Sequence, residues 1–174
     1  MLENTDTLLS MAEIAAAFAG FAALVSVIRR TSDKPADAVH DLLRLRLVIA
    51  SAVAGVAAAL IPVGLDGYGF SPTTTWRLAA LLFLVFDNGI LASFVSAYKP
   101  VQGTFEPDRL AVVVVMALEA VEQFSLVAVV LALPITNPPA LYVTALIANI
   151  CQVGFIFVRF VGSAFRHEND ILGG

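Results

Sequence analysis

Apolar residues in this chain come in long blocks, separated by short polar segments rich in Pro and Gly. Five blocks are long enough to cross a hydrocarbon layer of about 30 Å, which takes roughly 20 helical residues. They predict helices over approximately 8–28, 45–64, 76–98, 110–133 and 139–161. The segments between them, "RRTSDKPADAVHD", "DGYGFSPTTT", "KPVQGTFEPDR" and "PITNPP", carry the breakers that helix ends and turns require.

One stretch resists this simple pattern. "LLFLVFDNGILASF", from Leu81 to Phe94, has Asp87, Asn88 and Gly89 at its centre, a combination that ordinarily marks a tight turn. Splitting the block there leaves two pieces of about ten residues, too short to span, and a bare turn in lipid strands backbone polar groups. A single helix with a polar middle is therefore expected. A helix locally unwound at "DNG" is the alternative, tolerable only where protein or water covers it.

Composition agrees with a membrane protein. The 174 residues are 59% hydrophobic and 14% charged, with a mean hydropathy of +0.89, against about half apolar and a quarter charged in a soluble domain. A net charge of −4 argues against nucleic acid as a partner. The single cysteine, Cys151, excludes a disulfide framework and is expected as a small buried hydrophobe.

Charge placement gives an orientation. With the N-terminus outside, nine of the ten Lys and Arg residues face the cytoplasm and only Arg77 is external, a strong positive-inside bias. "MLENTDTLLS" has no basic residue, so the first helix is expected to be retained rather than cleaved. Tyr68, Trp76 and Tyr98 fall at helix ends, where an aromatic belt would place them. Ala12, Ala16 and Gly20 share one face of the first helix, and Ser51, Gly55 and Ala59 one face of the second. Small residues at this spacing predict close packing of the two helices. Arg44 and Arg46, set among leucines in "DLLRLRL", are expected at lipid headgroups, with the second helix beginning before the membrane.

The candidate chemistry lies in polar residues within the spans. Glu119, Glu122 and Gln123 share a face of the fourth helix, and Asn149 and Gln152 a face of the fifth. Asp87, Glu122 and Asn149 fall close to the expected midplane, while Glu13 is shallower, an outer-side acid near the interface. Each ionised acid facing lipid at the centre costs about 2.5 to 3.5 kcal/mol. No Lys or Arg lies in the inner part of a span, so the acids are expected to be neutral by protonation, to bind a cation or to line a wet cavity. Asp87, Asn88, Glu119, Glu122, Gln123, Asn149 and Gln152 form the candidate ion- or proton-binding set. Acids and amides hydrogen-bonded only as glue between helices are the competing interpretation.

Catalysis is not expected. His40 and His167 lie in the expected cytoplasmic segments, and no phosphate loop, nucleophile elbow or His-Glu-x-x-His helix occurs. "ExxEQ" at 119–123 carries half of a di-iron carboxylate motif without its histidine. "AEI", at Ala12 to Ile14, is similar to the proton-coupling glutamate region of small multidrug resistance transporters, over three residues that assign no family. The chain thus reads as an all-α, five-helix, multi-pass protein of a bacterial inner (plasma) membrane, one membrane domain over 1–174. It has a cytoplasmic loop at 29–44 and a cytoplasmic tail at 162–174. The expected function is a cation or proton channel or small transporter, a homo-oligomer without cofactor, handling a monovalent or divalent cation or protons. The alternative is a non-transporting scaffold, sensor or accessory subunit.

Overall fold

The computed structural model describes residues 4–28, 35–101, 108–133 and 137–172. They form five long helices: α1 (Thr5–Ile28), α2 (Pro35–Gly67), α3 (Pro72–Tyr98), α4 (Arg109–Val130) and α5 (Pro138–Leu172). A short 3-10 segment, Lys99–Val101, follows α3, and no strand occurs among the described residues. All five helices contain a segment long and apolar enough to cross a membrane.

Local sequence explains the helix ends. Ser71 caps α3, its Oγ accepting from the Thr74 N–H, and Pro72 supplies a first-turn residue that needs no N–H partner. Asp108 caps α4 by accepting from the backbone N–H groups of Leu110 and Ala111. The α2–α3 turn passes through Gly69 at φ +78°, a conformation glycine adopts without steric cost. At the C-terminus of α4, Ala132 takes φ +51° while the N–H groups of Ala132 and Leu133 close back onto Val129 and Ala128. Arg77 adds a bond from its Nε to the Val130 carbonyl at 3.0 Å, a cation at a helix C-terminus.

Two helices are longer than the hydrophobic pattern indicates. α2 begins at Pro35, ten residues before the apolar block near 45, as expected of a second helix that starts before the membrane, so the described part of the expected loop is helix; residues 29–34 lie outside the described residues. α5 continues to Leu172 instead of ending near 161, which makes the described part of the expected tail helical too. Both extensions hold no breaker past their first residues, Pro35 and Gly162, so an existing helix propagates through them at little cost.

α1 lies along α2 and α4 along α5, while α5 touches all four other helices. Near the start of α3, one apolar cluster draws on every helix: Leu8 and Ala12, Ala58 and Ala59, Trp76 and Phe83, Leu126 and Val129, Tyr142 and Leu146. Tyr142 packs against Trp76 and Phe83 and donates its hydroxyl to the Ala58 carbonyl at 2.7 Å. Trp76 is thus buried rather than part of an aromatic belt. Toward the other end, Ala22, Val48, Ala52 and Val153 join α1, α2 and α5. The outer surface carries exposed apolar side chains such as Phe21, Val113, Phe124 and Val158, as a lipid-facing bundle requires.

The α1–α2 contact confirms close packing but uses a different face of α1. Leu8, Ala12, Ala15 and Ala22 are buried, whereas Ala16 and Gly20 are exposed. Ser51, Gly55 and Ala59 of α2 are all buried, as their spacing predicts. Cys151, expected inside, is on the exposed surface of α5.

Candidate functional site

α3 runs unbroken through Asp87, Asn88 and Gly89, so the turn-like triplet is the polar middle of one helix. Periodicity then sets the site. Asp87 follows Phe83 by four residues on α3, Glu122 precedes Leu126 by four on α4, and Asn149 follows Ala145 by four on α5. Phe83, Leu126 and Ala145 all belong to the apolar cluster. Residues four apart stack on one helix face, so the three polar side chains lie one turn beyond that cluster and are capped by it.

Asp87 is 6% exposed, Asn149 2% and Glu122 0%. Asp87, Glu119 and Glu122 can each present one carboxylate oxygen such that all three lie within 4.8 Å of one another. Gln123 bridges two of them: its Nε2 donates to Asp87 Oδ2 at 2.5 Å and to Glu119 Oε1 at 2.9 Å. Asn88 Nδ2 holds the other end of that amide, donating to Gln123 Oε1 at 3.1 Å and back to the Leu84 carbonyl at 2.8 Å. From α5, Gln152 Nε2 donates to the second Glu119 oxygen at 3.2 Å.

Glu122 sits behind this network. Neither of its oxygens has a hydrogen-bond partner, and Asn149 lies beside it without making a well-formed bond. Asn149 Oδ1 and Gln152 Oε1 also lack donors. Four buried oxygens at one site are therefore acceptors without a donor, which a proton, a cation or an ordered water would satisfy. The charged groups facing Asp87 and Glu122 are acidic: Glu119, and each the other. At an effective dielectric constant of 20, two like charges about 4.8 Å apart repel by roughly 3.5 kcal/mol. Three bare carboxylates do not share this space without protons or a counter-ion.

The structure thus brings together Asp87, Asn88, Glu119, Glu122, Gln123, Asn149 and Gln152. Glu13 stands apart, exposed on α1. It is not much shallower than the site: Ala15, two residues on, packs 3.5 Å from where a Cβ on Gly55 would lie, beside Asn149. Two helical residues span only about 3 Å. Arg44 and Arg46 are also outside the cluster; Arg46 Nη2 bonds Ser93 Oγ, six residues beyond Asp87 on α3.

Gly55 is the site residue that sequence reasoning assigned only to helix packing. A Cβ there would stand 2.9 Å from Asn149 Oδ1, so the missing side chain is what lets Asn149 nest between α2 and Glu122. Its position in a small-residue row was visible, but the partner across the gap was not.

No protein-family model, curated protein or solved structure matches this chain.

Proposed function

We propose that the protein is a membrane-embedded proton or cation channel or small transporter whose working site is the Asp87–Glu119–Glu122 cluster. The observation that carries this reading is the set of partnerless acceptor oxygens on Glu122, Asn149 and Gln152, beside two further carboxylates and, among the described residues, with only acidic groups as charged neighbours. Asp87 and Glu122 would be the main carboxylates, Glu119 and Asn88 secondary contributors, Gln123 the clamp, and Asn149 and Gln152 the amide ligands. The positive-inside bias supports an outside N-terminus in a bacterial inner membrane. The exposed Ala16 and Gly20 of α1 suit a contact between copies in a homo-oligomer.

Purified protein in liposomes, tested with gradients of H⁺, Na⁺, K⁺ and Ca²⁺, measures the activity directly. Asp87→Asn and Glu122→Gln keep shape while removing the ionisable group. Each is expected to cut flux or abolish its pH dependence while the protein still assembles. Full flux at every pH in both variants would remove the site assignment. Labelling single cysteines in a Cys151→Ala background tests orientation: positions 67–74 react from outside, and positions 32–38 do not.

A second reading has its own support. Gln123, Asn88 and Gln152 tie α3, α4 and α5 together through hydrogen bonds, as a clasp in a non-transporting scaffold or accessory subunit would. That reading expects both amide variants to be tolerated and the liposomes to show no flux.

A further inference from the structure

Another face of α3 borders a groove of about 280 Å³ between α2 and α3. Leu47 and Ala50 line it from α2, and Phe86, Ile90 and Phe94 from α3. Gly89 leaves it open, since a Cβ there would meet nothing within 4 Å. Arg46 also lines the groove and donates from Nη2 to Ser93 Oγ at 3.1 Å; Arg44 does not line it. Ser93 lies five residues before the end of α3 at Tyr98, so the guanidinium is drawn roughly 7 Å along the helix from that end.

We propose that this groove binds one anionic phospholipid, its acyl chain along the apolar walls and its phosphate on the Arg46 guanidinium and Ser93 hydroxyl. An apolar groove open to a bilayer is filled by hydrocarbon, because water gains nothing there and acyl chains are already adjacent. The charge then selects the headgroup. A guanidinium drawn inward from the helix end favours an anion that reaches the same depth, and its planar fork matches two phosphate oxygens. Arg46 and Leu47, Ala50 follow the helical repeat that puts cation and apolar wall on one side of α2.

Native mass spectrometry of the full chain, released from detergent after titration with phosphatidylglycerol or phosphatidylcholine, tests this. The wild type is expected to retain one phosphatidylglycerol roughly fivefold more tightly than phosphatidylcholine, the scale of one basic side chain at an anionic surface. Arg46→Gln should bring the two lipids to equal retention, while Arg44→Gln keeps the preference. Gly89→Leu fills the groove and should lower retention of both lipids. Equal retention of both lipids by the wild type, or a full preference in Arg46→Gln, would overturn the proposal. So would a change of oligomer mass in Gly89→Leu with lipid retention intact, which would make the groove a contact between protein chains.

Discussion

α1 meets α2 through Ala12, Ala15, Ala52, Gly55, Ala58 and Ala59, residues with almost no side chain to order and nothing to ionise. α3, α4 and α5 meet at mid-length through Asp87, Glu119, Glu122, Gln123 and Gln152. Both are workable ways to hold helices together in lipid, where burying apolar surface gives no advantage over exposing it. The first depends on shape alone, so pH and salt leave it unchanged. The second, under the proposed function, would vary with how many protons or cations the acids hold. A bundle with one seam of each kind has a fixed half and a responsive half, and Asn149 against Gly55 is where the two touch.

The largest expected effect separates the halves by function. Glu122→Gln should lower proton or cation flux about tenfold or more, the scale of removing a positioned acid or base. Ala22→Gly, buried in the α1–α2 contact away from the acids, should leave flux per folded molecule unchanged. Equal losses in both would erase the distinction.

Next comes the contact between them. Gly55→Val places a Cβ 2.9 Å from Asn149 Oδ1 and should destabilise the bundle by about 1 to 3 kcal/mol, as overpacking does. Thermal unfolding in detergent should show that loss. Flux per folded molecule should fall as well, since Asn149 is pushed toward Glu122. A pure stability loss with normal flux would confine Asn149 to packing.

Tyr142→Phe probes the apolar cap above the acids. It removes the buried bond to the Ala58 carbonyl and should cost about 0.6 to 1.7 kcal/mol, the range measured for bonds between helices in membranes. Its unfolding midpoint should shift equally at all pH values.

The smallest effect lies at the α4 N-terminus. The Ala111 backbone N–H does most to hold the Asp108 carboxyl below its ordinary value of 3.8, and Arg159 adds to this against the opposing effect of desolvation. A carboxyl lowered in the folded state contributes stability above its unfolded value and loses it as pH falls through the folded one. Wild-type protein should therefore lose midpoint temperature below pH 3.8 by slightly more than Asp108→Asn, which keeps the cap and lacks the charge.

How much of this was legible in sequence follows from the same contrast. The polar face stands out because seven acids and amides in an apolar background mark one side of α3, α4 and α5. Length alone places the DNG triplet within a continuous helix, and α3 is continuous. α1 carries a weaker signal. Ala12, Ala15, Ala16, Ala19 and Gly20 offer two small-residue faces of equal quality, and within that stretch Glu13 is the single polar residue that says which points outward. The four-residue spacing of 12, 16 and 20 predicts one face, whereas the chain buries 12, 15 and 22. Trp76 escaped for a similar reason: an aromatic residue near a helix end reads as interfacial until Tyr142 is known to cover it.

An amide N–H does not ionise near neutral pH. Gln123, Asn88 and Gln152 are, in electrical terms, insulators that hold the conductors in place. The conductors, under the proposed function, would be three carboxylates grouped within 4.8 Å of one another, and a plate of apolar side chains blocks the end one turn from Asp87 and Glu122. What remains is a circuit with one terminal, at the half-buried Glu119. Such an element charges and discharges through the same contact. Under the proposed function, this arrangement of the helices would act as a capacitor, and steady current would require α3, α4 and α5 to reconnect it to the other side.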